Sequence, residues 1–235
     1  MEQSFEDGGV FMRYLILIGV VALASSCVQQ TQSVFKGGVR AYEQGEYEQA
    51  FETMATLAET GHTEAQFSLG QLYREGRGAA QNYTEALKWY CRAAAGGNAN
   101  AVGLIGQMYK EGLAVPLDHV KAWQWHQLAA DLGDPMGLLF MAEDAVERED
   151  RPKDLEKGHL WLTLLFMRGY SRLGYDEKIV AYLDDLEAQM TPQQIQASND
   201  AVKKWKPAPF DDVVVMRIKS SDACGPTLSA DQSIR

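Results

Sequence analysis

Two consecutive stretches carry the same pattern: HTEAQFSLGQLYREGRGAAQNYTEALKWYCRAAAGG at residues 62–97 and NANAVGLIGQMYKEGLAVPLDHVKAWQWHQLAADLG at residues 98–133. The two copies align without a gap at an offset of 36 residues. Identical pairs are Ala65 with Ala101, Gly70 with Gly106, Tyr73 with Tyr109, Trp89 with Trp125 and Gly97 with Gly133. A fixed period of this length is typical of a solenoid built from repeated supersecondary units.

The pattern continues in weaker form on both sides of the two clear copies. Residues 134–169 form a degenerate copy, in which Trp161 and Gly169 take the places of Trp125 and Gly133. Residues 46–61 repeat the second half of the pattern before the first clear copy. Terminal repeats drift because one of their faces meets solvent or a cap. The sequence therefore predicts an all-α solenoid of helix–turn–helix repeats over residues 35–169.

Small and large residues recur at fixed places within the repeats. Gly70 and Gly106 fall in the middle of predicted helices, where glycine costs about 1 kcal/mol relative to alanine. We therefore expect another helix backbone to pass close to each of them. The large residues Trp89, Trp125 and Trp161 are expected to be buried between neighbouring units.

The periodicity changes after Gly169. Residues 170–206 contain two amphipathic segments, the second opening with Thr191-Pro192, and we predict that they form C-terminal capping helices. Residues 207–235 are predicted to be an extended or disordered tail. Within it, the β-branched run at 213–218 favours a short strand or an extended segment.

The first 27 residues have the features of an export signal. Arg13 precedes an apolar run that ends at Ala24 and is shorter than the roughly 20 residues that a membrane span requires. The acidic residues before Met12 are unusual in a signal, so we expect Met12 to be the true start. Cleavage after Ala24 gives a soluble exported protein, whereas a lipobox ending at Cys27 gives a lipoprotein. We expect an exported, periplasmic protein, anchored to the outer membrane in the second case, with a polar linker at residues 28–34.

Two further cysteines, Cys91 and Cys224, remain after the leader. An exported protein can join such a pair in a disulfide. However, Cys91 falls in a repeat helix and Cys224 in the predicted tail, so nothing in the sequence indicates that they meet. We expect both to be unpaired.

The net charge of the chain is −10 at neutral pH. Nucleic-acid binding requires a basic surface that neutralises phosphates. An acidic chain of globular composition therefore argues against a nucleic-acid partner.

The repeats resemble the Sel-one-like repeat family, which is related to the tetratricopeptide repeat. The resemblance rests on the following residues of the first copy: Ala65, Leu69-Gly70, Leu72-Tyr73, Gly76, Gly78, Lys88-Trp89-Tyr90, Ala93-Ala94 and Gly97. The second copy departs from the family pattern at Ala114, in place of the second glycine, and at His126, in place of tyrosine. The resemblance implies a right-handed α-solenoid that serves as a scaffold or adaptor, in bacteria often in the envelope or in host interaction.

The sequence contains no glycine-rich phosphate loop, Gly-x-Ser-x-Gly elbow, Cys-x-x-Cys or His-Glu-x-x-His motif. His119 and His126 are spaced to share a helix face, but no third ligand is evident, so no metal site, cofactor or catalytic residue is predicted. The acidic run from Glu143 to Asp150 is interpreted as a solvated helix face. The alternative to a non-enzymatic protein is an envelope enzyme that hydrolyses cell wall or β-lactams, as suggested for cysteine-rich members of the family. Those members pair cysteines within each repeat, and this chain does not.

The family resemblance implies that the first helix of each repeat lines a concave, peptide-binding face. On these helices Gln71 recurs as Gln107 and Arg74 as Lys110, while Phe67 offers an apolar contact. These five residues are the candidate peptide-binding face, and an ordinary solvated surface is the alternative. We predict a non-enzymatic protein–protein interaction scaffold in the bacterial cell envelope. A purely structural or assembly lipoprotein is the remaining alternative.

Overall fold

The computed structural model describes residues 29–147, 152–167 and 176–230, and every regular element in these ranges is a helix. The described residues form two compact units, one up to Gln81 and the other from Asn82 onward. The predicted all-α fold of consecutive helix–turn–helix repeats, the α-solenoid class, is confirmed.

The helices follow the repeat period. The first, α1, occupies residues 29–43. The next seven are α2 (Tyr47–Glu59), α3 (Thr63–Glu75), α4 (Tyr83–Ala95), α5 (Ala99–Glu111), α6 (His119–Asp131), α7 (Pro135–Glu147) and α8 (Leu155–Met167). Each of these seven is 13 residues long. The first helices of the repeats start at 63, 99 and 135 and the second helices at 47, 83, 119 and 155, always 36 residues apart. The degenerate copy is therefore a full helical hairpin.

The first unit contains α1, α2 and α3, with α2 packed against α3. The rings of Phe51 and Tyr73 meet edge to face, 5.1 Å apart, at that contact. Arg77 stabilises the turn after α3, because its guanidinium lies 4.9 Å from the centre of the Tyr47 ring. Gly78 passes so close to α2 that a Cβ there would collide with the backbone carbonyl of Tyr47.

In the second unit, each helix from α4 to α8 packs against the next. Two further helices, α9 (Asp176–Gln189) and α10 (Pro192–Lys204), pack against α8. They agree with the predicted capping helices within the described part of residues 170–206. Thr191 and Gln194 form the reciprocal capping box that starts α10. The core between these elements is built from Leu138, Leu162, Leu186 and Val202.

The start of each repeat's second helix is fixed by a polar side chain. Asn82 accepts hydrogen bonds from the N–H groups of Thr84 and Glu85, and Asp118 accepts them from Val120 and Lys121. At the end of α5, Gly112 has a φ of 69°, the left-handed conformation that glycine adopts without strain. These caps explain why the hairpins begin and end in the same register.

The three repeated tryptophans are buried as predicted, with exposures of 4% for Trp89, 8% for Trp125 and 9% for Trp161. The prediction that a helix backbone passes close to Gly106 was wrong. A Cβ there would meet the ring of His126 at 3.1 Å, not a helix backbone. The close backbone approach occurs instead at Gly137 on α7, where a Cβ would collide with the amide nitrogen of Ala130.

The predicted extended or disordered tail over residues 207–235 is wrong for residues 212–230, whereas residues 207–211 have no regular secondary structure. Residues 212–230 form two helices, α11 (Asp212–Lys219) and α12 (Gly225–Ala230), and both pack against α4. The β-branched run misled the prediction because it also contains Val214 and Ile218, four residues apart on one helix face and both buried. Asp211 starts α11 by accepting the N–H of Val214.

The expectation that Cys91 and Cys224 are unpaired is also wrong. They form a disulfide with their Cα atoms 5.2 Å apart. The sequence hid this pairing because 133 residues separate the two cysteines, and the helical path of the tail brings them together.

The predicted leader, its lipobox cysteine Cys27 and the start at Met12 all lie outside the described residues. The linker predicted at residues 28–34 is instead helical from residue 29, where α1 is first described. Across the described ranges, the helices are too short or too polar to span a bilayer.

Candidate functional site: a groove at the junction of α5, α6 and α7

A groove of about 410 Å³ lies in the second unit, where the clear repeat meets the degenerate one. Lys110 in the last turn of α5 forms one side, and His119 and Trp123 in the first turns of α6 form another. The third side is α7, with Phe140, Glu143, Asp144 and Glu147. The 36-residue period brings α5 and α7 into contact as neighbouring first helices, which places their last turns beside the start of α6.

Trp123 is held in place by a hydrogen bond. Its Nε1–H donates to Oδ2 of Asp144 at 2.9 Å. Asp144 is 8% exposed. The bond fixes the indole as a wall of the groove and satisfies a polar atom that would be costly to bury alone.

Phe140 is the second aromatic wall. The ammonium of Lys110 lies 5.1 Å from the centre of its ring, within cation–π distance. The ring also stacks on His126, with 4.1 Å between centres. The aromatic surface of the groove thus already accommodates one cation.

His126 is fully buried behind Phe140. Neither of its ring nitrogens has a hydrogen-bond partner. Burial lowers the pKa of His126 to about 4, and the positive charge of Lys110 lowers it further in the same direction. The imidazole is therefore neutral at physiological pH and adds no charge behind the groove.

The carboxylates of α7 make the groove acidic. Burial raises the pKa of Glu143, and the nearby charge of Glu147 raises it too, whereas Lys110 lowers it. Glu147 accepts a hydrogen bond from the hydroxyl of Tyr182 on α9 at 2.9 Å. Burial raises the pKa of Tyr182 well above its usual range, and the hydrogen bond to Glu147 raises it further. The acidic run predicted to be a solvated face therefore contributes one wall of a groove.

The residues of the predicted peptide-binding face lie on two helices in different units. Phe67, Gln71 and Arg74 are on α3, and Gln107 and Lys110 are on α5. Of these, Lys110 lines the groove. Gln107 donates a hydrogen bond to Glu111 on its own helix, and the backbone carbonyl of Arg74 accepts one from Gln81. Whether the five residues bind a peptide stays a prediction.

Sequence reasoning missed Trp123, Phe140 and Glu143 as site residues. One signal for Glu143 was present, because it lies 36 residues after Gln107 and so occupies the same repeat position. Extending the proposed row of polar residues into the degenerate copy would have reached it. No comparable signal existed for Trp123 or Phe140, whose counterparts in the preceding copy are Leu87 and Leu104.

The histidines do not converge on a metal site in the described part of the chain. His119 is exposed at the groove, whereas His126 is buried seven residues later. Within residues 29–147, 152–167 and 176–230, no three His, Cys, Asp or Glu side chains are grouped so as to hold a metal ion.

A second polar cluster joins α8, α9 and α10. Nδ1 of His159 lies 2.9 Å from the hydroxyl of Ser198, and its Nε2 lies 3.0 Å from a carboxylate oxygen of Glu187. The order acid, imidazole and hydroxyl matches that of a hydrolytic triad. However, Ser198 is 3% exposed and His159 is 2% exposed, so a substrate has no access to the hydroxyl. The cluster joins three helices, with His159 and Ser198 buried and Glu187 exposed at its edge.

Comparison with known proteins bears on the repeats. The family model described as Sel1 repeat matches residues 63–98 and 99–134, one residue away from the copies recognised in the sequence. Residues 63–134 of this chain are therefore two Sel1 repeats. The match covers α3 to α6 and leaves the degenerate third hairpin and the C-terminal helices outside the two Sel1 repeats.

Two curated relatives are described as exopolysaccharide production negative regulators. The one from Rhizobium leguminosarum bv. viciae is 40% identical over 57 residues, 24% of this chain and 21% of the relative. The one from Rhizobium meliloti strain 1021 is 40% identical over 58 residues, 25% of this chain and 22% of the relative. The similarity therefore spans about a fifth of each relative.

Two solved structures share the fold. A Sel1 repeat protein from Oxalobacter formigenes aligns with a TM-score of 0.51 and 27% identity, covering 66% of this chain and 49% of that one. A protective antigen of uropathogenic Escherichia coli with an SLR fold aligns with a TM-score of 0.53 and 23% identity, covering 83% of this chain and 46% of that one. The chain spans about half the length of each.

Proposed function

We propose that this protein is a non-enzymatic interaction scaffold of the bacterial cell envelope that binds a partner protein through the groove between α5, α6 and α7. The observation that carries the proposal is the groove itself, which has two fixed aromatic walls beside ionisable side chains. Aromatic surfaces of this kind anchor protein partners, and helical repeats commonly present such surfaces to peptides.

The disulfide between Cys91 and Cys224 supports the envelope location. Disulfides persist in oxidising compartments such as the bacterial periplasm and are rare in the cytosol. The proposal retains the leader and lipid attachment at Cys27. Metabolic labelling with a palmitate analogue, comparing the wild type with Cys27→Ala, tests the anchor. Incorporation that persists in Cys27→Ala would rule out attachment at that cysteine.

Site-specific photo-crosslinking in living cells tests the interaction. A photoreactive amino acid is placed at His119, which is exposed and lines the groove. We expect a discrete crosslinked product of constant mass after illumination. The matched control carries the same amino acid at Gln124, which is exposed on the same helix but does not line the groove.

Equal crosslinking from His119 and Gln124, or none from either, would contradict the groove as the docking site. The same assay tests the predicted peptide-binding face. Replacing Gln71, Arg74, Gln107 and Lys110 by alanine should weaken the His119 product if this face contributes to binding.

The relatives favour one process in which such a scaffold would act. Both are described as negative regulators of exopolysaccharide production. If this protein has a related role, deleting its gene should raise exopolysaccharide output, and a copy with a large side chain in the groove, such as His119→Trp, should not restore it. Unchanged output after deletion would separate the protein from that process while leaving the scaffold proposal to the crosslinking assay.

A non-enzymatic role is part of the proposal. The hydroxyl that most resembles a nucleophile, that of Ser198, is buried against His159. Hydrolysis of a cell-wall or β-lactam substrate by purified protein, abolished by Ser198→Ala, would overturn this part.

A further inference from the structure

The charge of the groove bears on what it binds. Among its described lining residues, Glu143, Asp144 and Glu147 are carboxylates and Lys110 is the lysine. Asp144 and Glu147 accept hydrogen bonds from the neutral donors Trp123 and Tyr182. Three carboxylates against one ammonium leave the lining with an excess of negative charge.

The walls of the groove suit a flat cation. Phe140 already accepts the ammonium of Lys110 over its ring, and the indole of Trp123 is fixed nearby by Asp144. A guanidinium group stacks on aromatic faces and pairs with carboxylates through two parallel hydrogen bonds. The neutral His126 behind Phe140 does not repel it.

The volume of the groove limits the occupant to a small part of a partner. About 410 Å³ lies near the lower end of the range for ligand pockets. It accommodates one long side chain with the adjoining backbone and is too small for a packed helix.

We propose that the groove receives an arginine side chain of the partner protein, whose guanidinium takes the place of the Lys110 ammonium on the face of Phe140 opposite His126 and pairs with the α7 carboxylates. This inference rests on the proposed scaffold function and specifies the chemistry of its partner. The carboxylate of Glu143 is the main charge contact, because Asp144 and Glu147 already accept hydrogen bonds.

Titration with four short peptides tests the inference. They share the sequence acetyl-Gly-Ser-X-Ser-Gly-amide, where X is arginine, citrulline, lysine or glutamate. Binding is followed by nuclear magnetic resonance through the indole N–H signal of Trp123, assigned with Trp123→Phe. We expect the arginine peptide to shift this signal saturably with a Kd of about 1 mM, as weak as binding through a single side chain implies. The citrulline peptide has nearly the same shape without charge and should bind at least tenfold more weakly.

A pair of protein variants provides the control. Glu143→Gln should weaken the arginine peptide about five- to tenfold, whereas Glu156→Gln, on the exposed surface of α8, should leave its affinity unchanged. Equal binding of the arginine and citrulline peptides would overturn the inference, as would an unchanged affinity in Glu143→Gln. Stronger binding of the glutamate peptide would also overturn it and identify Lys110 as the recognition group.

The outcome is separable from that of the scaffold proposal. If crosslinking from His119 succeeds and the arginine peptide does not bind, the scaffold stands and its partner presents a different group. If the arginine peptide binds and no crosslink forms in cells, the groove selects cations but the scaffold proposal fails.

Discussion

Two surfaces of the second unit differ in whether the C-terminal segment of the chain packs on them. Along α4 and α6, the C-terminal segment lies on the repeats and is fastened at several points. Ala208 donates its N–H to the carbonyl of Asp131 at 2.7 Å, and the carboxylate of Asp222 lies 2.6 Å from the ammonium of Lys121. Cys224 is bonded to Cys91. At the junction of α5, α6 and α7, by contrast, a groove with aromatic walls is lined by both basic and acidic side chains.

Each surface has one departure from the repeat pattern beneath or within it. Cys91 occurs where the next copy has Gln127, and His126 occurs where the preceding copy has Tyr90. The common residues of the pattern, such as Trp89 and Trp125, are buried in the stack. Residues shared by the copies, such as these tryptophans, maintain the fold, and the unshared Cys91 lies where another segment docks. On that surface it is the chain's own C-terminal segment, and on the other we propose a partner.

The disulfide gives the largest expected effect, because it joins the C-terminal segment to the repeats. Replacing Cys91 and Cys224 together by serine should lower the free energy of unfolding by about 4 kcal/mol, since the bond closes a long loop in the unfolded chain. Urea unfolding followed by circular dichroism measures the change. Reductant should lower the stability of the wild type to that of the double variant and leave the variant unaffected. A wild type that is insensitive to reductant under denaturing conditions would show that the bond does not stabilise the fold.

Periodicity in the sequence predicted the repeated part of the fold closely. The hairpins from α3 to α8 follow from a pattern of caps, glycines and tryptophans that recurs every 36 residues. The aromatic walls of the groove and the helical C-terminal segment were beyond this reasoning, because the repeat pattern marks neither of them. Phe140 and Trp123 read as ordinary apolar positions, and Val214 and Ile218 as part of a strand. Their roles are decided by tertiary contacts that local propensity does not encode.

The substitution His126→Phe tests the packing behind the groove. Both ring nitrogens of the buried imidazole lack hydrogen bonds, which is costly, and a phenyl ring keeps the stack on Phe140. The variant should therefore be more stable than the wild type by about 1 kcal/mol at pH 7. Urea unfolding measures the difference, and a change close to zero would imply that water satisfies the imidazole.

The advantage of His126→Phe should also depend on pH. The pKa of His126 is about 4 in the folded protein and ordinarily 6.5, so the unfolded chain binds the proton first as the pH falls. The contribution of His126 to the free energy of unfolding of the wild type is fully present above pH 6.5 and is lost as the pH falls from 6.5 to 4. The stability difference between variant and wild type should therefore grow by about 3 kcal/mol across this window. Chemical denaturation at pH 7, 5.5 and 4.5 checks the trend, and a constant difference would contradict it.

Asp134 lies just before α7, and its effect on the pH dependence of stability is expected to be smaller than that of His126 and opposite in direction. Its carboxylate is 3% exposed and accepts the N–H of Gly137 at 2.8 Å. Burial raises its pKa from 3.8 to about 6, against the lowering effect of hydrogen bonds from Gly137 and Met136. The folded protein therefore binds the proton more readily, and the stability contributed by this group is present below pH 3.8 and lost as the pH rises through 6.

Asp134→Asn keeps an oxygen acceptor for Gly137 and removes the charge. The variant should be more stable than the wild type at pH 7, by on the order of 2 kcal/mol, and should lose this advantage towards pH 4. The same denaturation series used for His126→Phe measures it, with the two variants expected to change in opposite directions. An advantage for Asp134→Asn that grows as the pH falls would reject the assigned role of burial.

The smallest effect is expected in the turn that leads from α5 into the groove helix α6. Ala114 has a φ of 59°, and Gly78, at the same place in the preceding copy, has a φ of 74°. Alanine is strained in this left-handed conformation by about 1 kcal/mol, and glycine is not. Ala114→Gly should therefore raise the free energy of unfolding by about 0.5 kcal/mol, after the greater flexibility of glycine in the unfolded chain is subtracted.

The reciprocal change, Gly78→Ala, should be strongly destabilising, because the added Cβ would also collide with the backbone of Tyr47. Urea unfolding of both variants measures the pair, and destabilisation by Ala114→Gly would mean that the alanine methyl group makes contacts worth more than the strain.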